Sequence, residues 1–232
     1  MTERGLGGLL VSLQLSDSAF PSGFYTMSHG LEGFAQAGAV GPDGVRALLV
    51  DLLRCSVGPG DATALARAHE AASAGDWDRV TEVDRLLLAT KLNAELRRSA
   101  VRSGRRQVVQ IARAAIGGPL LAEWERRITE RRTPGCQAVA TAVAYAAAGA
   151  GTRTAVASDL FAFTASVLGA ALRLRLADHQ QVQVLQYAVH PVIEEVTRAA
   201  LRRPLHDLGG CVPVADVASA RHELAEARLF AS

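Results

Sequence analysis

The sequence is poorest in lysine, aromatic residues and cysteine, and each shortage closes off some chemistry. Lys91 is the only lysine among 25 basic residues. A P-loop needs Gly-x-x-x-x-Gly-Lys-Ser/Thr, because backbone amides and one lysine cradle the phosphates. Lys91 lies in Ala-Thr-Lys-Leu-Asn with no glycine loop before it, which excludes an NTPase of that type. Aromatics are 5% of residues and none interleaves with the arginine cluster at 97–113, so base stacking on single-stranded nucleic acid is unsupported. The three cysteines, Cys55, Cys136 and Cys211, are odd in number, far apart and without a C-x-x-C. That speaks against a disulfide framework or a cysteine zinc site, and reduced thiols suit the cytoplasm. The net charge of +2 is too small to imply nucleic-acid binding by itself. Residues 6–15 form a short apolar stretch with no small-residue cleavage site, so a signal peptide is not expected. The Ala-dominated stretch 137–152 is too short to span a bilayer, and the next apolar segment carries Asp159. The expectation is a cytoplasmic chain that does not enter a membrane.

What is present is helical periodicity, with no convincing alternation of the strand kind. At 232 residues, with 49% hydrophobic and 21% charged positions, the chain fits one large domain. The pattern predicts helices over about 6–15 and 28–37, the latter ended by Gly38. A third opens at Pro42-Asp43 with Val45, Leu48, Leu49, Leu52 and Leu53 on one stripe. Gly58-Pro59-Gly60-Asp61 reads as a loop, with Asp61 capping a helix over 62–74. A long helical region over 77–116, bent near Gly104, follows the break at Gly75-Asp76. Helices over 120–131, an Ala-rich one to Gly149, one through Leu176, and 179–201 come next. Pro191 should kink or split the last of these. Gly209-Gly210 reads as a flexible joint before a final helix from Pro213 to about Phe230. No linker or repeat divides the chain, so the expected architecture is all-α: a single-domain multi-helix bundle over 1–232.

The chemistry-bearing residues are scattered. His190 with Glu194, and His222 with Glu226, have i,i+4 spacing, which can put two ligands on one helical face. No H-E-x-x-H is present, and the serines of Ser16-Asp17-Ser18 have no nucleophile elbow around them. Arg98, Arg102, Arg105 and Arg106 follow helical spacing, a pattern that suits either a solvated face or an acidic partner. The residues alone support a soluble helical bundle, non-enzymatic by default. Two other readings stay open. One is a metal-dependent enzyme drawing on His69, Glu70, His190, Glu194 and Glu195. The other is a helical DNA-binding regulator using the basic region 97–113.

Both ends of the chain are more specific. Residues 13–32 read LQLSDSAFPSGFYTMSHGLE, and residues 213–232 include His222-Glu223 and close on Arg228-Leu229-Phe230-Ala231-Ser232. The first resembles the L-Q-L…P-x-G-x-[FY]-x-x-S-x-G-L-E motif of the UreF family of urease accessory proteins, matched at Pro21, Gly23, Tyr25, Ser28, Gly30, Leu31 and Glu32. The second is similar to that family's H-E-x-x-x-x-R-L-F-x-S ending. Gly60-Asp61-Ala62, Arg67-Ala68-His69, Gly75-Asp76, Glu95-Leu96-Arg97, Ser99 and Gly104-Arg105 extend the similarity along most of the chain. Ser103 stands where the family has methionine. Leu176-Ala177-Asp178-His179 replaces its P-[LI]-G-Q turn, and Arg132-Thr133 precedes Pro134 without the family's histidine.

The resemblance implies a non-catalytic dimer that bridges the scaffold protein UreD (UreH) and the nickel-carrying GTPase UreG. That complex inserts nickel into apo-urease, with UreF regulating the GTPase. It implies a UreG-facing surface at Pro21, Gly23, Tyr25, Ser28, Gly30 and Glu32, within an N-terminal motif region 1–38. It implies a UreD contact at His222, Glu223, Arg228, Leu229, Phe230 and Ser232, within a C-terminal tail 211–232. Nickel and GTP would be handled by the complex, with no metal ligand set in this chain and no nucleic-acid or membrane partner.

Overall fold

A computed structural model describes residues 3–20, 27–92 and 94–222, with the backbone alone described at 3–5, 42, 106–108 and 220–222. Among the described residues there are helices and no strand, as the periodicity requires. The helices are α1 (Glu3–Ser16), α2 (Leu31–Gln36), α3 (Val45–Leu52), α4 (Thr63–Ala74), α5 (Trp77–Thr90), α6 (Ala94–Arg102), α7 (Gln110–Ala115), α8 (Pro119–Thr129), α9 (Gln137–Ala147), α10 (Thr152–Arg173), α11 (His179–Ala188), α12 (His190–Arg202) and α13 (Pro213–His222).

The centre is α4 against α9, the most extensive helix pair. Alanine makes this possible: Ala64, Ala66, Ala68 and Ala72 of α4 and Ala138, Ala140, Ala142 and Ala144 of α9 are all buried. Small side chains let two backbones approach, and alanine gives up no rotamer entropy on burial. Larger residues fill the periphery. Leu49, Leu53, Leu65, Leu87, Leu121, Leu160 and Leu168 are fully buried, each stabilising the fold by roughly 1.5–3 kcal/mol. Helix α10 runs along this core, carrying α1, α11 and α12. It is long and apolar enough to cross a membrane, and 61% of its apolar window is buried inside the fold.

The expected loop at 58–61 is instead helical. Leu53–Ala62 is a π-type segment that joins α3 to α4 as one continuous rod with Pro59 inside it. The wider i→i+5 turn makes room for a ring that would break an α-helix. Thr63 Oγ1 donates to the Gly58 carbonyl at 2.9 Å, closing the segment from within. Gly58 has to be glycine, because a Cβ there would lie 2.5 Å from the Leu53 carbonyl oxygen and 2.6 Å from Val196 Cγ1. Asp61 therefore caps nothing and is free for another role.

The long region expected over 77–116 divides. Helix α5 ends at Thr90, and Lys91 and Leu92 take it out of helical register. A second π-type segment, Ser103–Val109, lies at the bend anticipated near Gly104. That glycine lets the segment meet the start of α9: a Cβ there would overlap the Gly135 carbonyl and sit 2.8 Å from the Gln137 nitrogen. Pro191 splits its region as anticipated, ending α11 and occupying the first turn of α12. The Gly209-Gly210 joint is held rather than loose. Gly209 (φ +123°) donates its N–H to the Pro59 carbonyl at 3.0 Å, and Gly210 is pressed on the Cys55 carbonyl with no space for a side chain.

Candidate functional site

Widely separated parts of the chain wall one cavity of about 140 Å³. The π-type segment supplies Asp61, the strap after α5 supplies Lys91, and the core face of α10 supplies Asp159 and Phe163. Met27 and His29 come from the N-terminal motif, and Ala215, Asp216 and Ser219 from α13.

The sole lysine is its electrostatic centre. Lys91 Nζ donates to both carboxylate oxygens of Asp61, at 2.6 and 2.7 Å, with both side chains only about one-fifth exposed. Its position is fixed from behind by Arg97, whose Nη1 donates to the carbonyls of Lys91 at 2.7 Å and Leu92 at 3.0 Å. A charge-assisted, two-oxygen contact out of bulk water is stronger than a solvent-exposed pair.

Burial shifts two further ionisable groups beside that pair toward their neutral forms. Burial pushes the Asp159 carboxyl up to about 7, and the Asp61 charge adds to this, while a hydrogen bond from Gln137 opposes it. Burial holds the His29 imidazole down to about 4; Asp61 opposes this and Lys91 reinforces it. His29 Nε2 hydrogen-bonds with Ser166 Oγ at 3.0 Å, and the ring stands edge-on to Phe163 with centroids 4.6 Å apart. His29 holds φ +52°, a strained left-handed turn that leads into Gly30 and α2.

The N-terminal motif meets α13, the helix that leads into the C-terminal motif, here. Helix α13 packs on α2. Gly30 (φ +87°) faces the Ala215 carbonyl, and Gly33 faces that of Ala218, at 3.5 and 2.9 Å from where their Cβ atoms would be. Of the residues expected to face UreG, Ser28 and Glu32 are buried beneath this contact, at 1% and 2% exposure, and Gly30 is buried with them. Pro21, Gly23 and Tyr25 lie outside the described residues. On the other side, the backbone of His222 ends α13, and Glu223, Arg228, Leu229, Phe230 and Ser232 lie outside the described residues.

The scattered metal candidates do not converge. His69 is buried, with one ring nitrogen 2.9 Å from the Ala150 carbonyl and the other 2.9 Å from Thr152 Oγ1, so it ties α4 to the start of α10. Glu70 pairs with Arg67, and Glu195 with Arg54. His190 lies against Tyr187 and Phe161 instead of a carboxylate. Among the described residues no three His, Cys, Asp or Glu side chains form a metal-sized cluster. The basic stretch is likewise used internally: besides Arg97, Arg105 donates to the Pro134 carbonyl and Arg113 to Glu125.

Outside the cavity, α1 has an unusual polarity. Ser12 and Ser16 turn inward, Ser16 reaching Tyr145 Oη at 3.4 Å, while Leu6, Leu9, Leu10 and Leu13 are 42–60% exposed. Their i, i+3, i+4, i+7 spacing makes one unbroken apolar stripe. Single exposed leucines need no explanation, but a contiguous stripe marks a surface that a partner covers.

Comparison with known proteins decides the family. A family model described as UreF matches residues 40–190. The chain belongs to the UreF family. It is 31% identical to urease accessory protein UreF 2 of Brucella canis, over 98% of this chain and 93% of that one. It is 30% identical to urease accessory protein UreF of Trichodesmium erythraeum over the full length of both, and 29% identical to its counterpart in Yersinia pseudotuberculosis over 97% and 98%. The resemblance drawn from the two ends thus holds for the whole chain, including the central helices where short motifs are sparse.

Proposed function

We propose that this protein is a non-catalytic adaptor of urease maturation. It acts in the cytoplasm as a dimer, joining UreD (UreH) to the GTPase UreG, regulating that GTPase, and so supporting nickel insertion into apo-urease. Nickel is cargo of the assembly and not a resident ion of this chain. Family membership supports the pathway. The observation that carries the adaptor role is the exposed leucine stripe of α1, a spacing suited to laying one helix into a partner's groove. The terminal segments carry the remaining contacts: the N-terminal motif (Pro21, Gly23, Tyr25, Ser28, Gly30, Glu32) toward UreG, and the C-terminal residues (His222, Glu223, Arg228, Leu229, Phe230, Ser232) toward UreD. Because Ser28, Gly30 and Glu32 are buried, they act by setting the position of the motif, with its neighbours making the contact.

The test is co-purification with the UreD and UreG homologues. Leu9→Glu with Leu13→Glu places charge on the exposed stripe without touching the core. The variant is expected to keep its circular dichroism spectrum and thermal midpoint and to lose at least one partner. Full retention of both partners and of urease activation would overturn the adaptor role of α1.

A further inference from the structure

The Asp61–Lys91 cavity is lined by two kinds of residue. Much of the lining is apolar, with Met27, Leu52, Leu96 and Phe163 among it. The rest carries charge, and the charge does not balance. Among the described residues Asp61, Asp159 and Asp216 line the same space as one permanent cation, Lys91. Lys91 is committed to Asp61, with its Nζ within 2.7 Å of both carboxylate oxygens.

Two carboxyls are left without a cation of their own. Asp159 is 6% exposed and takes a side-chain hydrogen bond from Gln137. Asp216 takes a backbone hydrogen bond from Val212, while its Oδ2 is shut away from water with no partner. Burial pushes both carboxyls above their ordinary value. A buried acceptor without a donor is a standing cost, and a donor that also carries positive charge relieves it most fully.

The shape says what that donor is. No three His, Cys, Asp or Glu side chains among the described residues come together at metal-ion spacing, so the carboxyls suit a cation broader than a single ion. The volume of about 140 Å³ is close to the roughly 150 Å³ of an apolar cavity that takes up benzene. The body of the ligand is therefore about the size of one six-membered ring. The side chains of Asp61 and Lys91 are about one-fifth exposed, so the cavity reaches the surface and a ligand has a way in.

We propose that this cavity binds a small organic cation: an amidinium, guanidinium or ammonium group on an apolar body the size of one ring, with the N–H donors on Asp216 and Asp159 and the body against Phe163 and Leu52. The site stands on the cavity alone and does not rest on the adaptor reading.

Three probes of one shape separate charge from fit: benzamidine, its neutral counterpart benzamide, and the anion benzoate. Each is titrated near neutral pH into the full-length protein, followed by the amide chemical shifts. Benzamidine should bind with Kd on the order of 0.1–1 mM, as suits so small a ligand, and should move the amides of Lys91, Leu92 and Ala215. Benzamide should bind about tenfold more weakly or worse, and benzoate should not bind. Asp216→Asn keeps the shape of the wall and removes its charge, so it should weaken benzamidine by about tenfold and leave benzamide unchanged. Equal affinity for benzamidine and benzamide would make the cavity a merely apolar hole. Preferred binding of benzoate would make Lys91 the anchor, and displacement of benzamidine by an equal concentration of Ni²⁺ would make this a metal site. Any of these, shifts confined to another part of the chain, or no binding of the three probes would overturn the proposal. The comparison of probes is made on the wild-type chain, so it stands even where Asp216→Asn fails to fold.

Discussion

Asp159→Asn keeps the shape of a buried side chain and removes its proton equilibrium, and the cavity makes the outcome calculable. In the folded chain this carboxyl titrates at about 7, against 3.8 for an ordinary aspartate. A carboxyl raised by folding contributes fully below its unfolded pKa, and that contribution is lost as pH climbs through the folded value. At 1.36 kcal/mol per unit the loss between pH 4 and pH 7 has an upper limit of about 4 kcal/mol, and about half of that is expected once the site relaxes. His29 works in the opposite sense. Its ring titrates at about 4 when folded and 6.5 when free, so its contribution is present above pH 6.5 and fades as pH falls through 4. In the wild type the two slopes oppose each other and the stability profile from pH 4.5 to 7 is shallow. In Asp159→Asn the His29 slope stands alone, and stability rises with pH over that interval. Urea denaturation every half pH unit, with the m-value held constant, measures both curves. Parallel curves for wild type and variant would show that Asp159 is ionised in the folded protein and that the cavity does not hold it neutral.

Two other substitutions test the neighbouring framework. Asp84 of α5 is fully buried and accepts hydrogen bonds from Thr133 Oγ1, the Gly135 N–H and the Cys136 N–H, fastening the loop that starts α9. Asp84→Asn turns an amide donor toward donors, so it should cost about 2–4 kcal/mol and lower Tm by about 5–15 °C, read by calorimetry; a shift under about 3 °C contradicts the network. Lys91→Met leaves Asp61 without its partner beside Asp159 and should cost about 2 kcal/mol in denaturation at pH 7, with Asp61→Asn in the same chain returning much of it; additive losses would show that the two do not act as a pair.

The helical class and most element boundaries were legible because 3.6-residue periodicity and Gly/Pro punctuation are local signals. The π-type segment was not. Gly58-Pro59-Gly60-Asp61 carries every local mark of a loop, yet in the fold it is helical, packed on Val196 with the Gly209-Gly210 joint alongside. The cavity was hidden for the same reason, since Asp61, Lys91, Asp159 and Asp216 share no spacing that a sequence pattern connects. One hint was available: a single lysine among arginines is an outlier, and it proves to be the centre of the site. The terminal motifs were visible as motifs, but nothing in the sequence says that Gly33 receives the backbone of Ala218. Glu32, expected on a partner-facing surface, is buried in α2 just after the left-handed Gly30.

The wide-turn segment between α3 and α4 also acts as a gear between them. Successive residues of an α-helix advance by about 100°, so each residue a π turn adds rotates everything downstream by that angle. The leucine stripe of α3 and the alanine faces of α4 are therefore aimed independently, although they share one rod. Removing a single residue between Leu53 and Ala62 would leave a rod that is still helical and turn Ala64, Ala68 and Ala72 away from α9. The length of this ten-residue stretch, more than its composition, sets which side of α4 faces the middle of the protein.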